Sequence, residues 1–356
     1  MSSYDVVIVG GSAMGSATAY YLGLLDPSLS VAVVEKDPSY EFSSTLRSEG
    51  NLRVQFNLEE NIRMSQFTMG VLEGFPTDME VDGWQPDPAP RRQGNLFLVD
   101  AANVAAARAG MELQLSLGCN IEWLDAEEIS SRWPLLATQG IVGATFGADD
   151  GFIDPSAVLH GLRRNAAKLG AEYMTAEATA IEVRDGAVAG VRLSTGETLE
   201  TTIVINCAGG WSAELAATAG IELPVEPVMR SVYLVNAPFA AMGLPGVFLP
   251  NGVYALAEGP QSFEIGWSRQ TDPVGFDFTF SRVGFEEEVW PELIEILPRF
   301  DQLSVTGGWR GIYAMNTLDS NAILGEWPTL AGYYNANGFS GHGFQHTPAM
   351  GRYLAE

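Results

Sequence analysis

The chain of 356 residues is long enough for two domains, or for one large fold carrying a second layer. With 46% hydrophobic and 18% charged residues it has material for a large core, which excludes a disordered protein. Its net charge of −25 and pI near 4.3 repel nucleic acid and anionic membrane, so neither is expected as a partner, and an anionic ligand needs dedicated local cations.

The two cysteines, Cys119 and Cys207, build no disulfide framework, zinc ribbon or iron–sulfur site, and they fit a reducing cytoplasm. Residues 6–25 are uncharged, yet no Lys or Arg precedes them, Asp5 abuts them and they contain four glycines. A strand, a tight turn and a helix explain that stretch better than a signal peptide or membrane span.

In chain order, residues 4–9 (YDVVIV) predict a buried parallel strand, Gly10 to Gly15 the turn, 16–25 a helix ended by Asp26-Pro27-Ser28, and 30–35 a second strand. This is a βαβ unit of about the minimum length. The proline-rich run 86–92 marks a passage between domains. A strand over 94–99, helices over 101–117 and 126–132, and a helix over 155–169 with Asp154 or Ser156 as cap follow. Arg184-Asp185-Gly186 between 180–183 and 188–193 is a hairpin signal. Residues 203–206 read as a short buried strand, 228–280 as an aromatic-rich antiparallel sheet, 286–296 as a helix, and 333–356 as strand, glycine-rich turn and helix. The chain ends within that helix, so a further tail is expected beyond residue 356. The βαβ pieces at the start, middle and end predict an α/β protein with a discontinuous cofactor domain. An inserted α+β substrate domain is built on an antiparallel sheet. The boundaries are 1–85, 140–220 and 306–356 for the first and 86–139 and 221–305 for the second.

Gly10-Gly11-Ser12-Ala13-Met14-Gly15 is a G-x-G-x-x-G turn with Ser12 at the middle glycine, and Glu35 stands 20 residues after Gly15 at the end of the second strand. Free N–H groups and the helix dipole make such a turn a pyrophosphate site, while the carboxylate takes the ribose hydroxyls. Strand, helix and acid agree, so a Rossmann-type dinucleotide site is predicted. The motif alone does not separate FAD from NAD.

The C-terminal run Asn337-Gly338-Phe339-Ser340-Gly341-His342-Gly343-Phe344-Gln345, taken with the N-terminal unit, resembles the D-amino-acid oxidase superfamily of FAD enzymes in its glycine oxidase and sarcosine oxidase branch. The likeness is greatest to the subgroup containing a mitochondrial complex I assembly flavoprotein and bacterial secondary-amine oxidases. Ser44-Thr45-Leu46-Arg47-Ser48 with Gly50-Asn51-Leu52-Arg53 is similar to the family's loop along the flavin. Asp150-Gly151-Phe152-Ile153-Asp154-Pro155, Asn206-Cys207-Ala208-Gly209-Gly210-Trp211 and Trp309-Arg310-Gly311-Ile312-Tyr313 follow in family order. The resemblance implies FAD contacts from these segments and from Lys36 and Thr179. A glycine-rich turn opening a helix stabilises the negative charge of a reduced flavin; His342 is either part of that turn's site or a structural turn residue, and with His346 four residues on it has no third metal ligand in view.

Four family features differ. The cysteine that links flavin covalently in the sarcosine oxidase branch is matched near Gly311, so non-covalent FAD is implied. The branch's lysine over the flavin, which promotes reaction with dioxygen, is matched by Glu264. Primary D-amino-acid enzymes carry an arginine where Tyr313 stands, and sarcosine oxidases a lysine where Gln345 stands. Arg53, Arg47 and Arg310 remain as cations. Arg53 and Tyr313, with Tyr254 and Gln345 next, are the expected substrate-facing residues. Arg53 as a brace of the flavin loop, the two tyrosines as core aromatics, and Glu264 as a solvated strand residue stay open. The implied reaction is oxidation of a small secondary or N-substituted amino acid (sarcosine, dimethylglycine or iminodiacetate class), with electrons passing to dioxygen, a quinone or an acceptor protein. A hydroxy-acid or polyol dehydrogenase and an assembly factor with little turnover remain as alternatives.

Overall fold

The protein is described from a computed structural model covering residues 2–241 and 243–356. Five parallel strands lie in the order Tyr333–Asn337, Val204–Asn206, Val6–Val9, Val31–Glu35 and Glu172–Thr175, and Ile323–Glu326 adds antiparallel at one edge. The central strands are buried on both faces, as a parallel sheet between two layers must be. Val6, Ile8, Val31 and Val33 face the helices Ala13–Leu25 and Pro155–Lys168, with Ala19, Leu22 and Ala166 between them. Val7, Val9, Ala32 and Val34 face a three-stranded antiparallel layer (Ala178–Arg184, Ala187–Leu193, Thr198–Glu200) through Ile181, Val188, Val191 and Leu199. The period-2 alternation of strand side chains thus serves two cores at once.

An eight-stranded sheet runs in the order Ser304–Asn316, Val225–Asn236, Ser262–Trp267, Val253–Ala257, Gly246–Phe248, Asn95–Asp100, Ile141–Gly147 and Ile121–Asp125. All neighbours are antiparallel except Gly246–Phe248 beside Asn95–Asp100. Its buried face packs Leu96, Val235, Phe263 and Ile265 against Phe285, Leu293 and Phe300. The strands Ile141–Gly147 and Ser304–Asn316 belong to this sheet, although divisions at 140 and 306 place them with the dinucleotide unit. Asn51–Leu52 pairs with Gly151–Phe152 between the two sheets.

Several elements begin or end where local physics dictates. The first helix starts at Ala13, inside the expected turn, because only two residues after Gly10 are needed to reverse the chain. Asp154 caps the helix Pro155–Lys168 by accepting from the Ser156 N–H at 2.8 Å. The expected helix over 286–296 is a wide turn, Phe285–Val289, then Trp290–Ile296; Pro291 lacks an N–H and interrupts the regular bonding. Residues 268–280 form no strand but an extended strap, tied to the sheet by a bridge between Val228 and Val274. The helix Glu59–Glu73 has no counterpart in the sequence reading; its N-cap is Leu58, which gives no side-chain cap to signal a start. Among the described residues, no helix is long and apolar enough to cross a membrane.

Candidate functional site

The carboxyl ends of the parallel strands open into a cavity of about 480 Å³, lined there by Val9, Gly10, Glu35, Lys36, Cys207 and Ala208. Crevices of open α/β sheets hold their ligands at this end. Gly10 has φ +99°, and a Cβ on it would lie 2.4 Å from the Cys207 carbonyl oxygen; a Cβ on Gly15 would lie 1.9 Å from the Gly10 carbonyl oxygen. Both glycines let helix and strand close on each other, and neither Gly11, Ala13 nor Gly15 lines the cavity itself. Ser12 and Met14 do. Ser12 makes no side-chain bond to its helix, and no acidic residue lies in the first turn. Its hydroxyl instead donates to Thr45 Oγ1 at 3.0 Å. The orphan N–H groups of that turn and their dipole therefore face the cavity unsatisfied. Glu35 accepts from the N–H groups of Gly11 (2.8 Å) and Asp37 (2.9 Å), and burial pushes its carboxyl up. Lys36 Nζ sits 3.7 Å from the centre of the Trp211 ring, which stacks on Phe276, and Thr179 and Gly209 complete this end.

At the other end the cavity is lined by Ser44, Thr45, Arg47, Ser48, Glu49, Gly311, Tyr313, Phe339, Gly341, Gly343 and Phe344. The loop 43–49 is stitched to the strand Ser304–Asn316. Ser44 donates to the Ile312 carbonyl (2.8 Å), Arg47 to that of Arg310 (2.9 Å), and Trp309 to that of Arg47 (2.9 Å). A Cβ on Gly341, where φ is +95°, would lie 2.2 Å from the Tyr313 ring. The open helix N-terminus, the acid at the strand end and this narrow slot between glycine turn and sheet fit FAD. Glu35 would hold the ribose, the Ser12 turn the pyrophosphate, and the 341–344 turn the flavin. Leu52 and Gly338 line neither this nor the neighbouring cavity, and Cys119 is buried elsewhere.

A second cavity of about 70 Å³ shares Ser48, Glu49, Tyr313, Gly341 and Phe344 with the first, and adds Asn51, Arg53, Phe248, Tyr254, Leu256, His342 and Gln345. All four expected substrate-facing residues, Arg53, Tyr254, Tyr313 and Gln345, thus meet in one space. Gln345 Oε1 accepts from the Arg53 backbone N–H at 2.9 Å. The Arg53 guanidinium lies 4.7 Å from the Phe56 ring centre and 5.4 Å from that of Phe97. Among the described residues it forms no ion pair, and its Nε is buried without a partner. Burial lowers its affinity for the proton, against the opposing pull of Asp150. His342 is held neutral, pushed down to about 4 by burial and then by Arg53, and His346 behind it is pushed down likewise. Their ring centres are 5.1 Å apart, and no cluster of three metal-ligating side chains exists among the described residues.

Glu264 lies outside both cavities. It sits opposite Leu234 and Leu256 in the sheet, and burial, then Glu49 and Glu258, push its carboxyl up to about 8. Arg310 is turned away, paired with Asp277 at 3.2 Å. Three further residues were given no role of their own from sequence. Glu49 lines both cavities and accepts a hydrogen bond from the Tyr254 hydroxyl. Asp150 is fully buried, accepts from Val54 N–H (2.9 Å) and Gln55 Nε2 (2.8 Å), and is pushed up to about 7 by burial. Arg230 lines the large cavity, pairs with buried Asp272, and lies 5.2 Å from the Tyr313 ring centre. An arginine inside an otherwise apolar strand stretch was the available signal for Arg230; Glu49 had its place within the loop along the cofactor.

Known proteins are similar to this chain along nearly its whole length. The profile of DAO, FAD dependent oxidoreductase, matches residues 5–356. FAD-dependent oxidoreductase domain-containing protein 1 of Bos taurus is 32% identical over 99% of this chain and 80% of its own length. Sarcosine oxidase subunit beta of Rhizobium meliloti (strain 1021) is 28% identical over 98% of this chain and 82% of its own. The crystal structure of L-proline dehydrogenase from P. horikoshii superposes with a TM-score of 0.87 at 26% identity, over all of this chain and 93% of that one. The chain is an FAD-dependent oxidoreductase and belongs to the DAO family.

Proposed function

We propose that the protein oxidises a small secondary or N-substituted amino acid, of the sarcosine, dimethylglycine or iminodiacetate class, at its carbon–nitrogen bond, giving an imine that hydrolyses. The observation that carries this reading is Arg53. Its Nε is buried without a partner and the guanidinium has no ion pair among the described residues, an arrangement that costs about 1–3 kcal/mol or more unless a ligand supplies the anion. Here it faces a small cavity that joins the FAD cavity and suits a ligand of few atoms. A carboxylate on Arg53 leaves the rest of an amino acid among Tyr254, Tyr313, Phe344 and Gln345, at the flavin end. Sarcosine and proline, named in two relatives, are both secondary amino acids.

Bound FAD supplies the two-electron acceptor. The residues of the chain orient the substrate, exclude water and hold its charges. Arg53 fixes the carboxylate, the Gln345 side chain holds the Arg53 backbone, and Tyr313 and Phe344 wall the passage between the cavities. The chain has two lysines only: Lys36 at the dinucleotide end and Lys168 at the end of a helix. With no lysine at the flavin end, a quinone or an acceptor protein is the faster electron acceptor and dioxygen the slower.

Anaerobic mixing of the FAD-loaded protein with sarcosine, dimethylglycine, iminodiacetate, proline, D-alanine and 2-hydroxyglutarate, followed by air, tests both parts. Bleaching of the flavin by a secondary amine and slow recolouring are expected. Bleaching by the hydroxy acid alone would replace the substrate class, and fast recolouring would make the protein an oxidase.

A further inference from the structure

Glu49 stands where the two cavities meet, and it is the one carboxylate among the described residues that line the small cavity. The other acids around the large cavity, Glu35, Asp37, Glu177 and Glu214, lie at the dinucleotide end with Lys36. Its orientation is fixed. The Tyr254 hydroxyl donates to Glu49 Oε1, and Tyr254 is wedged in turn, since a Cβ on Gly266 would lie 2.2 Å from that hydroxyl. Phe152, Leu256 and Phe248 pack around the tyrosine. A carboxylate and a guanidinium, each half-buried and lining one small space without an ion pair between them, are complementary to a zwitterion.

An amine of ordinary basicity, with a pKa of about 10, reaches the site as the ammonium ion. The ammonium nitrogen has no lone pair to offer the neighbouring carbon when its hydride leaves, so a proton must go first. Resting on the proposed amine substrate, we propose that Glu49 takes that proton: an N–H bond of the ammonium breaks, an O–H bond forms on the Glu49 carboxylate, and no electrons change hands until the C–H pair passes to FAD. Tyr254 is the positioning residue, acting through Glu49. Burial raises the Glu49 carboxyl above the usual range, in the direction this transfer requires. The groups facing it are Tyr254, Tyr313, Arg53 and His342 in the cavity and Glu264 in the sheet behind. His342 is neutral, Glu258 adds a further negative charge beside Glu264, and Arg91 is the positive charge that opposes protonation there.

The test compares wild type with Glu49→Gln and Tyr254→Phe, each loaded with FAD, in two measurements. In the first, the anaerobic rate of flavin reduction by a secondary amino acid that bleaches wild type is followed against pH. Glu49→Gln is expected to lose on the order of 10²-fold at pH 7, and to recover as pH approaches the amine's own pKa; Tyr254→Phe is expected to keep the limb of the profile but move it. In the second, the flavin spectrum reports binding of proline and of pyrrole-2-carboxylate, which keeps the carboxylate but carries no ammonium. Wild type is expected to prefer proline, and Glu49→Gln to lose that preference by at least tenfold. An unchanged pH profile with an unchanged preference would overturn the assignment of Glu49 while leaving the substrate class standing. If no secondary amine bleaches wild type, the substrate class falls, and the binding preference alone decides Glu49.

Discussion

Arg53 is a charge without an ion-pair partner among the described residues, and it sets the first expectation at the residue scale. Replacing it by Met keeps the packing against Phe56 and Phe97 but removes the anion anchor. Losing one member of a buried charge pair costs about 2–5 kcal/mol, so KM for an anionic amine should rise at least about 30-fold at unchanged flavin content. Steady-state kinetics with the best substrate of the panel checks this, and an unchanged KM would leave Arg53 as a brace of the loop. Asp150 gives a second expectation. Burial raises its carboxyl to about 7, so the folded chain holds a proton that the unfolded chain releases near pH 4. Its contribution to stability is full below about pH 4, falls by at most about 1.4 kcal/mol per pH unit as pH rises towards 7, and levels off above. Denaturation of wild type and Asp150→Asn at pH 5, 6, 7 and 8 should show the difference between them moving against wild type up to neutrality. Parallel curves would mean that Asp150 does not titrate in this window. Both residues were open to sequence in unequal degree: Arg53 stood in a recognisable loop, whereas the acidity of Asp150 depends on Val54 and Gln55, brought to it from about 95 positions away.

At the scale of elements, the βαβ unit at the N-terminus is nearly local. Its strands, turn and helix follow from apolar runs and glycines within one stretch of chain, which is why residues 4–35 were readable in order. Gly15 shows how tight the unit is. A Cβ there meets the Gly10 carbonyl oxygen at 1.9 Å, so Gly15→Val should force the helix Ala13–Leu25 off the strand and abolish FAD retention. The ratio of flavin to protein absorbance in the purified variant is the measure, and a fully yellow protein would contradict the packing argument. The strap 268–280 is the opposite case. Its alternating aromatics read as sheet, but Phe276 stacks on Trp211, Phe278 packs at a tilt against Phe42, and Asp272 pairs with Arg230. Those aromatics back Trp211 and Phe42, which line the cofactor cavity, rather than form a ladder of strands, a choice made by partners distant in sequence.

For the whole molecule, 44 acidic against 19 basic residues leave a repulsive field that added salt screens. The melting temperature of the FAD-loaded protein should therefore rise between low salt and about 1 M, and a flat or falling trend would show that the acids are balanced locally. The overall layout, a dinucleotide unit in pieces around an antiparallel insertion, was legible because hydrophobic period, turn glycines and chain order are properties of the sequence itself. So was the family, through motifs spread from Gly10 to Gln345. The membership of strands in sheets was not: Ile141–Gly147 and Ser304–Asn316 hydrogen-bond with strands that composition assigned to another unit, since pairing depends on which edges meet in space. The same holds for the small cavity. Glu49, Arg53, Tyr254, Tyr313 and Gln345 come from four separated segments, and only the closing of sheet against loop brings the carboxylate, the guanidinium and the two tyrosines around one space. Sequence determines which charges the chain owns. The tertiary structure decides which of them lose their solvent, and with it their ordinary pKa values and their freedom to remain unpaired.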